Sequence, residues 1–193
     1  MTRIFTILLF VVAIGLGYFL YDSIRTDINQ ERLITSTEER VIRKLKMIRD
    51  AQIAYQAVRG EYTDNWDSLL GFIDTGKMYI VQKRERVITL DYGADSTIVN
   101  YDTLGTVSVR DSLFNERKYP DFNLAELPII PGSEGKRFEL FADQITKGTG
   151  AVVDVFEVKD VHVINPERRG DVGPGPLRVG SRTEATTQGN WEF

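Results

Sequence analysis

Acidic side chains in predicted loops are the groups whose type and spacing come nearest to a chemical site in this chain. They follow one another through its middle: Asp91, Asp95, Asp102, Asp111 and Glu116. Calcium in proteins is held by several carboxylate and carbonyl oxygens at once, so a calcium site is one interpretation. The spacing matches no EF-hand loop, and we favour the alternative that these carboxylates are solvated loop groups.

Other site chemistries find little support in the residue types. The chain has no cysteine, which excludes disulfides, thiolate metal ligands and cysteine nucleophiles. The chain has a single histidine, His162, which argues against most zinc sites and catalytic triads. Phosphate-binding loops, Gly-x-Ser-x-Gly elbows and dinucleotide fingerprints are absent from the sequence, and nothing selects a carboxylate pair for hydrolysis. We therefore predict a non-enzymatic protein without cofactor or metal, and we interpret Arg169-Gly170-Asp171 as a chance tripeptide.

An unbroken apolar run of 18 residues, from Ile4 to Tyr21, opens the chain. As a helix it would be roughly 27 Å long, close to the thickness of one hydrocarbon core. A cleaved signal peptide is the alternative, but its apolar core is shorter, about 7–15 residues, and it ends in small residues. This run ends in the bulky residues 18–21, which are typical of a membrane interface. We predict a transmembrane anchor over residues 1–21.

The charges that flank this run predict its orientation. Arg3 and the amino terminus precede it, whereas residues 22–32 mix acidic and basic side chains. The positive-inside rule then places the N-terminus in the cytoplasm and everything after residue 22 on the other side. We therefore predict a single-pass membrane protein whose C-terminal domain lies on the side opposite the cytoplasm.

The charge of the chain is unevenly distributed. The first 60 residues carry a net charge of +3 and the remainder −7, which gives −4 for the whole chain. Nucleic-acid binding needs a basic surface that neutralises phosphates. The acidic C-terminal part therefore predicts no nucleic-acid partner.

Helical patterns dominate residues 22–76. Ser36 and Glu39 have the spacing of a capping box, so a helix is expected to start or restart there. Its inward stripe repeats at three- and four-residue steps and consists of Val41, Leu45, Ile48, Ala51 or Gln52, Tyr55 and Val58. Basic residues on the rest of its surface are predicted to be mostly solvated: Arg40, Arg43, Lys44, Lys46 and Arg49. Gly60 stands where a helix C-terminal cap is expected.

A short second helix is predicted after Gly60. Thr63 or Asp64 can cap its N-terminus. Its inward side chains are predicted from their helical spacing: Trp66, Leu69, Leu70 and Ile73.

From Met78 the pattern changes to that of strands. Segments 78–82 and 86–90 flank Lys83-Arg84-Glu85, which predicts one hairpin. Segments 97–101 and 106–109 predict a second hairpin around residues 102–105.

A loop rich in proline and glycine follows these hairpins at 115–135. Two further strands are predicted after it, at 136–142 and 151–158, with a turn at 147–150 between them. Residues 161–164 are a candidate continuation of the second strand. Alternating apolar side chains on these strands are predicted to form the core: Phe138, Leu140, Ala142, Val153, Val155, Phe156 and Val158.

The last 29 residues, 165–193, contain five glycines and three prolines and are predicted to be extended or mobile, except for 177–179. Trp191 and Phe193 stand at the end of this polar tail, where solvation alone explains them poorly. Two alternatives stay open. Either the tail docks on a partner as a strand or an aromatic plug, or it folds back on its own domain.

Residues 40–72 contain a composite motif: Ile48-x-x-Ala51-Gln52-x-x-Tyr55, then Gly60-x-Tyr62, then Trp66 and Leu69. It resembles the N-terminal region of type II secretion pseudopilins and related type IV pilin-like proteins. The resemblance implies a membrane helix that continues into an amphipathic helix packed on a small β-sheet. It places Ile48, Ala51 and Tyr55 on the side that faces the sheet, with Tyr62 closing over the helix end. The chain lacks the prepilin-peptidase junction and the glutamate of the mature pilin helix. From the resemblance we therefore expect the fold of this family but not its assembly into a filament.

We predict an α+β protein of four regions: an anchor at 1–21, a helical region at 22–76, an antiparallel sheet region at 77–164 and a Gly/Pro-rich tail at 165–193. The residues expected to carry packing and interaction are Val41, Leu45, Ile48, Tyr55, Tyr62, Trp66, Leu69, Trp191 and Phe193.

The predicted function is that of a membrane-anchored periplasmic subunit or accessory of a bacterial envelope assembly, such as a secretion or motility apparatus. Its expected partners are other envelope proteins or further copies of the chain, and the membrane through residues 4–21. The alternative is a membrane-tethered module that binds a cation, a glycan or a peptide.

Overall fold

A computed structural model describes residues 2–89, 95–148, 150–170 and 173–192, with the side chains of residues 2–8, 11, 89, 95 and 96 outside the description. The protein is α+β, with one long N-terminal helix and two separate antiparallel sheets. The described helices and strands follow in this order: α1 (Thr2–Arg59), α2 (Trp66–Thr75), β1 (Lys77–Thr89), β2 (Asp95–Ser108), α3 (Val109–Leu113), β3 (Glu139–Thr146), β4 (Val152–Lys159) and β5 (Arg178–Gly180). Short 3-10 turns lie at Leu124–Glu126 and Pro166–Arg168.

Helix α1 is continuous and roughly 87 Å long. The predicted restart at Ser36 is wrong, because the Ser36 hydroxyl donates to the carbonyl of Leu33 inside the helix instead of capping a new one. The predicted cap at Gly60 is confirmed. Gly60 has a φ of 89°, a conformation that favours glycine, and its N–H donates to the Gln56 carbonyl at 2.8 Å.

No helix presents, among the side chains that the structure describes, an apolar stretch long enough to span a bilayer. Of the predicted anchor at 1–21, Met1 and the side chains of residues 2–8 and Val11 lie outside that description. The transmembrane anchor at 1–21 therefore stays a prediction.

Only the last third of α1 packs against the rest of the protein. Its buried side chains recur at helical spacing: Thr37, Val41, Leu45, Met47, Ile48, Ala51, Gln52 and Ala54. Val58, which was expected on the same stripe, is 39 % exposed because the helix has by then passed the edge of the core.

Helix α2 is capped by Asn65. The prediction that Thr63 or Asp64 caps it is therefore wrong. The Asn65 side chain accepts hydrogen bonds from the N–H groups of Asp67 at 2.8 Å and Ser68 at 3.1 Å. Leu69 and Ile73 are buried as expected, together with Phe72.

Strands β1 and β2 form one long hairpin instead of the two predicted ones. They pair antiparallel from Lys77 with Ser108 to Thr89 with Asp95, with a bulge between Ile80 and Val81. Lys83-Arg84-Glu85 continues the strand because it contains no glycine, proline or asparagine that would favour a turn.

The second sheet has the order β3-β4-β5 and is antiparallel throughout. The predicted turn at 147–150 is confirmed, since the Gly150 N–H donates to the Lys147 carbonyl at 2.8 Å. Residues 161–164 do not continue the strand. The third strand comes instead from the tail, where β5 pairs with β4 from Glu157 with Gly180 to Lys159 with Arg178.

The tail folds back on its own domain, which confirms one of the two alternatives for the residues up to 192. Val179 is fully buried, and Trp191 packs half-buried against the core. The tail is therefore part of the fold and not an extended segment. Phe193 lies outside the described residues.

The core lies between the last third of α1, helices α2 and α3, and the second sheet. Strand β4 is buried on both faces, with Val155, Phe156, Glu157 and Val158 all inaccessible. Much of the 115–135 loop also belongs to this core, since Leu127 and Ile130 are buried in it. We call this unit the head.

Candidate interaction surfaces

The outer part of the β1–β2 hairpin leaves the head without packing on it. Every side chain of residues 79–88 and 97–106 is exposed. Only the base of the hairpin contacts the head, through Met78 and a hydrogen bond from the Val109 N–H to the Gly76 carbonyl at 3.0 Å. We call residues 79–88 and 97–106 the arm. At about 3.4 Å per residue the full hairpin is roughly 45 Å long.

Large apolar side chains cover the arm: Tyr79, Ile80, Val81, Val87, Ile88, Ile98, Val99, Tyr101 and Leu104. The strand register places Val87 and Val99 on one face and Ile88 and Ile98 on the other. An isolated two-stranded hairpin is only marginally stable in water, and exposed apolar patches of this kind mark interaction sites. Both faces of the arm thus present surface that favours contact.

The two strands of the arm differ in charge. Within the arm, β1 carries three basic residues and one acidic residue, whereas β2 carries one acidic residue and no basic one. Arg84 and Asp102 form a cross-strand ion pair at 3.1 Å with both side chains at least half exposed. Lys83 and Glu85 form a second ion pair along β1.

The N-terminal part of α1 is a second exposed surface. Each side chain described between residues 9 and 33 is exposed. The large apolar ones are Leu9, Phe10, Val12, Ile14, Leu16, Tyr18, Phe19, Leu20, Tyr21, Ile24, Ile28 and Leu33. We call residues 9–33 the stem. The stem is apolar on all sides up to Tyr21 and then carries charged groups between its apolar positions.

A buried amide joins α1 to the segment that leads into α2. Gln52 Nε2 donates to the Thr63 carbonyl at 2.6 Å, and the Thr63 N–H donates to Gln52 Oε1 at 3.2 Å. Gln52 is completely buried, so both hydrogen bonds are shielded from water.

The tail is attached to the second sheet by charged side chains. Glu157 is 4 % exposed and accepts hydrogen bonds from Arg178 at 3.1 Å and Arg182 at 2.8 Å. Arg182 also donates to Glu139 at 2.7 Å. This bond and the arginine charge lower the pKa of Glu139. A buried carboxylate needs such partners, and here both basic partners come from the tail.

Two of the five basic residues predicted to be solvated on α1 instead hold other segments in place. Lys44 Nζ donates to the carbonyls of Glu126 and Ile129, the latter at 2.7 Å, and burial lowers the pKa of Lys44 against the opposing effect of Glu126. Arg49 contacts both carboxylate oxygens of Glu192 at 2.9 Å. Arg40, Arg43 and Lys46 are exposed, as expected.

A groove of about 590 Å³ lies between α1 and the 118–133 segment. Its lining combines basic, acidic and aromatic side chains: Arg40, Arg43, Lys44, Lys118, Asp121, Glu126, Tyr119 and Phe122.

Asp160 is a buried carboxylate without a basic side chain as a hydrogen-bond partner among the described residues. It is 3 % exposed, and its Oδ1 accepts a hydrogen bond from the His162 N–H at 2.7 Å. Burial raises the pKa of Asp160, the bond and charge of His162 oppose the rise, and the charge of Glu38 adds to it.

The predicted packing residues come together in the head and form its interior. Val41, Leu45, Ile48 and Leu69 are buried, whereas Tyr55, Tyr62, Trp66 and Trp191 are partly buried against the same core.

The aromatic members of this set make specific contacts. Tyr62 lies over Phe156 with ring centroids 4.6 Å apart, and Trp66 Nε1 donates to the Phe138 carbonyl at 3.2 Å. Trp191 Nε1 is buried without a hydrogen-bond partner in the described part of the chain. These residues support the fold and do not form an open binding surface.

Among the loop acids whose side chains the structure describes, Asp102, Asp111 and Glu116 do not converge. No group of three or more histidine, aspartate or glutamate side chains that could hold a metal occurs within the described ranges. Asp102 pairs with Arg84, and Asp111 lies in α3. Asp91 and Asp171, and with it part of the Arg169-Gly170-Asp171 tripeptide, lie outside the described residues.

The arm is the feature that the sequence patterns missed. The sequence pattern predicts two short hairpins within residues 77–109. Hairpins of that length would lie against the core and would not extend away from it. The signal that could have revealed the arm is the absence of glycine, proline, asparagine and aspartate from Lys77 to Thr89, which leaves no residue there that favours a turn.

Comparison with known proteins finds no match for this chain, whether to a protein-family model, to a curated protein or to a solved structure.

Proposed function

We propose that this protein is a non-enzymatic, membrane-anchored subunit or accessory of a bacterial envelope assembly, such as a secretion or motility apparatus. The observation that carries this proposal is the stem, a stretch of α1 whose described side chains are all exposed although many of them are large and apolar.

Exposed apolar surface of this extent favours transfer out of water. A helix that is apolar on all sides suits a lipid bilayer or the interior of a helix bundle, and an amphipathic helix suits contact with a partner. The run at 4–21 has the length of a bilayer span, and Ile24 and Ile28 follow it four residues apart, on one side of the helix. In the proposed topology the N-terminus is cytoplasmic, residues 4–21 lie in the inner membrane, and the head and arm are periplasmic.

The layout of the chain supports the proposal further. A pilin-like protein has a long N-terminal helix whose second half packs on an antiparallel sheet, and residues 40–72 resemble that family. Here the last third of α1 contacts β4 and β5 of the second sheet. The head then offers a rigid body held at one end of the stem, which is the arrangement that a structural subunit needs.

Fractionation of cells tests the anchor. We expect the full chain in the inner-membrane fraction, resistant to high salt and released by detergent. Ile14→Arg places a charge near the middle of the apolar run and should lower membrane retention, since a central arginine costs about 2.5–3.5 kcal/mol on insertion scales. Ile28→Arg, outside the run, is the matched control and should leave retention unchanged. A mature form that begins after Tyr21 and is free in aqueous extracts would overturn the anchor.

Co-purification tests the assembly. The full chain, extracted from native membranes in mild detergent, should bring down envelope proteins at near-stoichiometric amounts, as identified by mass spectrometry. Recovery of the chain as a solitary monomer would count against a subunit of an assembly.

The groove between α1 and the 118–133 segment favours a second candidate function, binding of a small polar ligand such as a glycan or an acidic peptide. Its basic side chains suit carboxylates, and the ring of Tyr119 offers a face for a sugar. Calorimetry of the full chain against a glycan and peptide panel tests this. Saturable binding that Arg43→Ala abolishes would support the ligand-binding module, and no binding across the panel would exclude it for those ligands.

A further inference from the structure

The arm has two free edges. Within the described residues β1 pairs only with β2, and β2 only with β1, so the outer backbone groups of both strands lack strand partners. Open edges of this length are templates for pairing with another strand, and natural proteins usually shorten or cover them. Here the residues of both strands from 79 to 88 and from 97 to 106 are exposed.

The charges of the two strands select the partner. Strand β1 is basic and β2 is acidic, so two β1 edges repel each other and so do two β2 edges. The edge of β1 is complementary to the edge of β2, and every copy of the chain presents both.

We propose that the arms of neighbouring copies of this chain pair edge to edge, with β1 of one copy against β2 of the next. The antiparallel direction is that of the hairpin itself. In the register of the hairpin, Arg84 would lie between Asp102 of its own chain and Asp102 of the neighbour, which extends the ion pair observed at 3.1 Å into a ladder.

Such an interface is heterologous, because different surfaces of the two copies meet. It therefore leads to a closed ring or to an open row of subunits and not to an isolated dimer. Pairing also places the exposed valines and isoleucines of adjacent strands beside each other, where cross-strand contacts stabilise the sheet. This inference concerns the arm and goes beyond the proposed function, which rests on the stem.

Charge exchange between copies tests the proposal. Arg84→Glu and Asp102→Arg each place like charges on both the internal and the intermolecular pair. Each variant alone should self-associate on the order of tenfold more weakly than the wild type in analytical ultracentrifugation of the full chain in mild detergent. An equimolar mixture of the two should recover association, because the glutamate introduced in one variant would then meet the arginine introduced in the other.

Internal pairing cannot explain recovery in the mixture, since neither chain regains its own ion pair. Arg59→Glu and Glu116→Arg make the same charge changes at exposed positions outside the arm and should associate as the wild type does. Circular dichroism and thermal unfolding identify any variant that fails to fold. High salt should weaken the association of the wild type, because both charged edges are exposed.

Cross-linking tests the strand order. The chain has no cysteine, so each introduced thiol is the only one present. A chain with Lys83→Cys mixed with a chain with Tyr101→Cys should form a disulfide-linked heterodimer, because these positions are directly opposite in the hairpin register. Efficient homodimers of either variant with no heterodimer would overturn the proposed order.

A wild-type chain that stays monomeric over the accessible concentration range would overturn the proposal, even if it remained in the membrane and co-purified with other proteins. Monomers that bind lipid vesicles through the arm would overturn it as well. Conversely, a chain that self-associates through the arm but fails to fractionate with membranes would refute the anchor and leave the arm pairing in place.

Discussion

The side-chain amide of Gln52 hydrogen-bonds to both main-chain groups of Thr63, accepting from its N–H at 3.2 Å and donating to its carbonyl at 2.6 Å. It therefore replaces the partner strand that this segment does not have. The clamp joins α1 to α2 inside the core, where unpaired main-chain groups would be costly.

Replacing Gln52 by alanine should leave both Thr63 groups buried and unpaired. We expect a loss of about 2–4 kcal/mol in the free energy of unfolding, measured by urea denaturation. Gln30→Ala, on the exposed stem of the same helix, is the matched control and should change stability by less than about 0.5 kcal/mol. A Gln52→Ala variant as stable as the control would show that the clamp contributes nothing.

The end of α1 depends on the left-handed conformation of Gly60, whose φ is 89°. Gly60→Ala should destabilise the protein by about 1 kcal/mol, because a Cβ is unfavourable there although no neighbouring atom obstructs it. Gly71→Ala lies inside α2, in open space, and should instead stabilise by about 0.5–1 kcal/mol. Thermal unfolding of the two variants should therefore shift in opposite directions, and equal shifts would contradict this explanation.

Burial raises the pKa of Asp160, so the folded state favours the protonated form. The stability from this group is fully present below its unfolded pKa and is lost as the pH rises through the raised folded pKa. Asp160→Asn keeps an acceptor for the His162 N–H and removes the charge, so it should raise the melting temperature at neutral pH.

The advantage of Asp160→Asn should shrink as the pH falls through the raised folded pKa of Asp160, and it should be gone below the ordinary range of a carboxyl group. The measurement is the difference in melting temperature between variant and wild type across pH. Glu61→Gln, at an exposed site, is the control and should show no such trend. A difference independent of pH would mean that the charge of Asp160 is not the cause.

Glu192 and Arg49 hold the end of the tail on α1. The Gly189 N–H and then Arg49 lower the pKa of Glu192, so its contribution is present above the ordinary carboxyl range and is lost as the pH falls through the lowered pKa. Glu192→Gln should expose the tail to proteolysis at neutral pH, and low pH should do the same in the wild type.

A double-mutant cycle with Arg49→Ala should give a coupling of about 0.5–1 kcal/mol, since the pair is only partly buried. Glu184→Gln, elsewhere in the tail, should leave the rate of proteolysis unchanged. Faster cleavage of that control would show that loss of any tail carboxylate, and not of this pair, releases the tail.

Helical periodicity was sufficient to predict the packed face of α1. Val41, Leu45 and Ile48 follow the three- and four-residue spacing, and that spacing alone places them on one side of a helix. The turn at 147–150 could be predicted for a similar reason, because glycine at Gly150 satisfies a local conformational demand. Such features depend on residues close together in the chain.

The strand segments predicted within residues 77–109 fall on β1 and β2, but the turns predicted at 83–85 and 102–105 were wrong, because strand propensity shows where a strand is compatible with the sequence and not where it turns. Likewise Asn65, Thr63 and Asp64 are all acceptable helix caps by residue type. The choice between them depended on how Gln52, eleven residues earlier, holds Thr63. Neither decision is visible in a local pattern.

The amino-acid sequence by itself determined the apolar stem, the absence of cysteine chemistry and the inward stripe of α1, since composition and local spacing are sufficient for these. Only the tertiary structure decided that the tail supplies β5, that Glu157 is buried between Arg178 and Arg182, and that the arm stands clear of the head. Those relationships join residues far apart in the chain, and their free energy arises when distant surfaces leave water together. The local periodicity of the sequence therefore does not predict which distant surfaces are buried together.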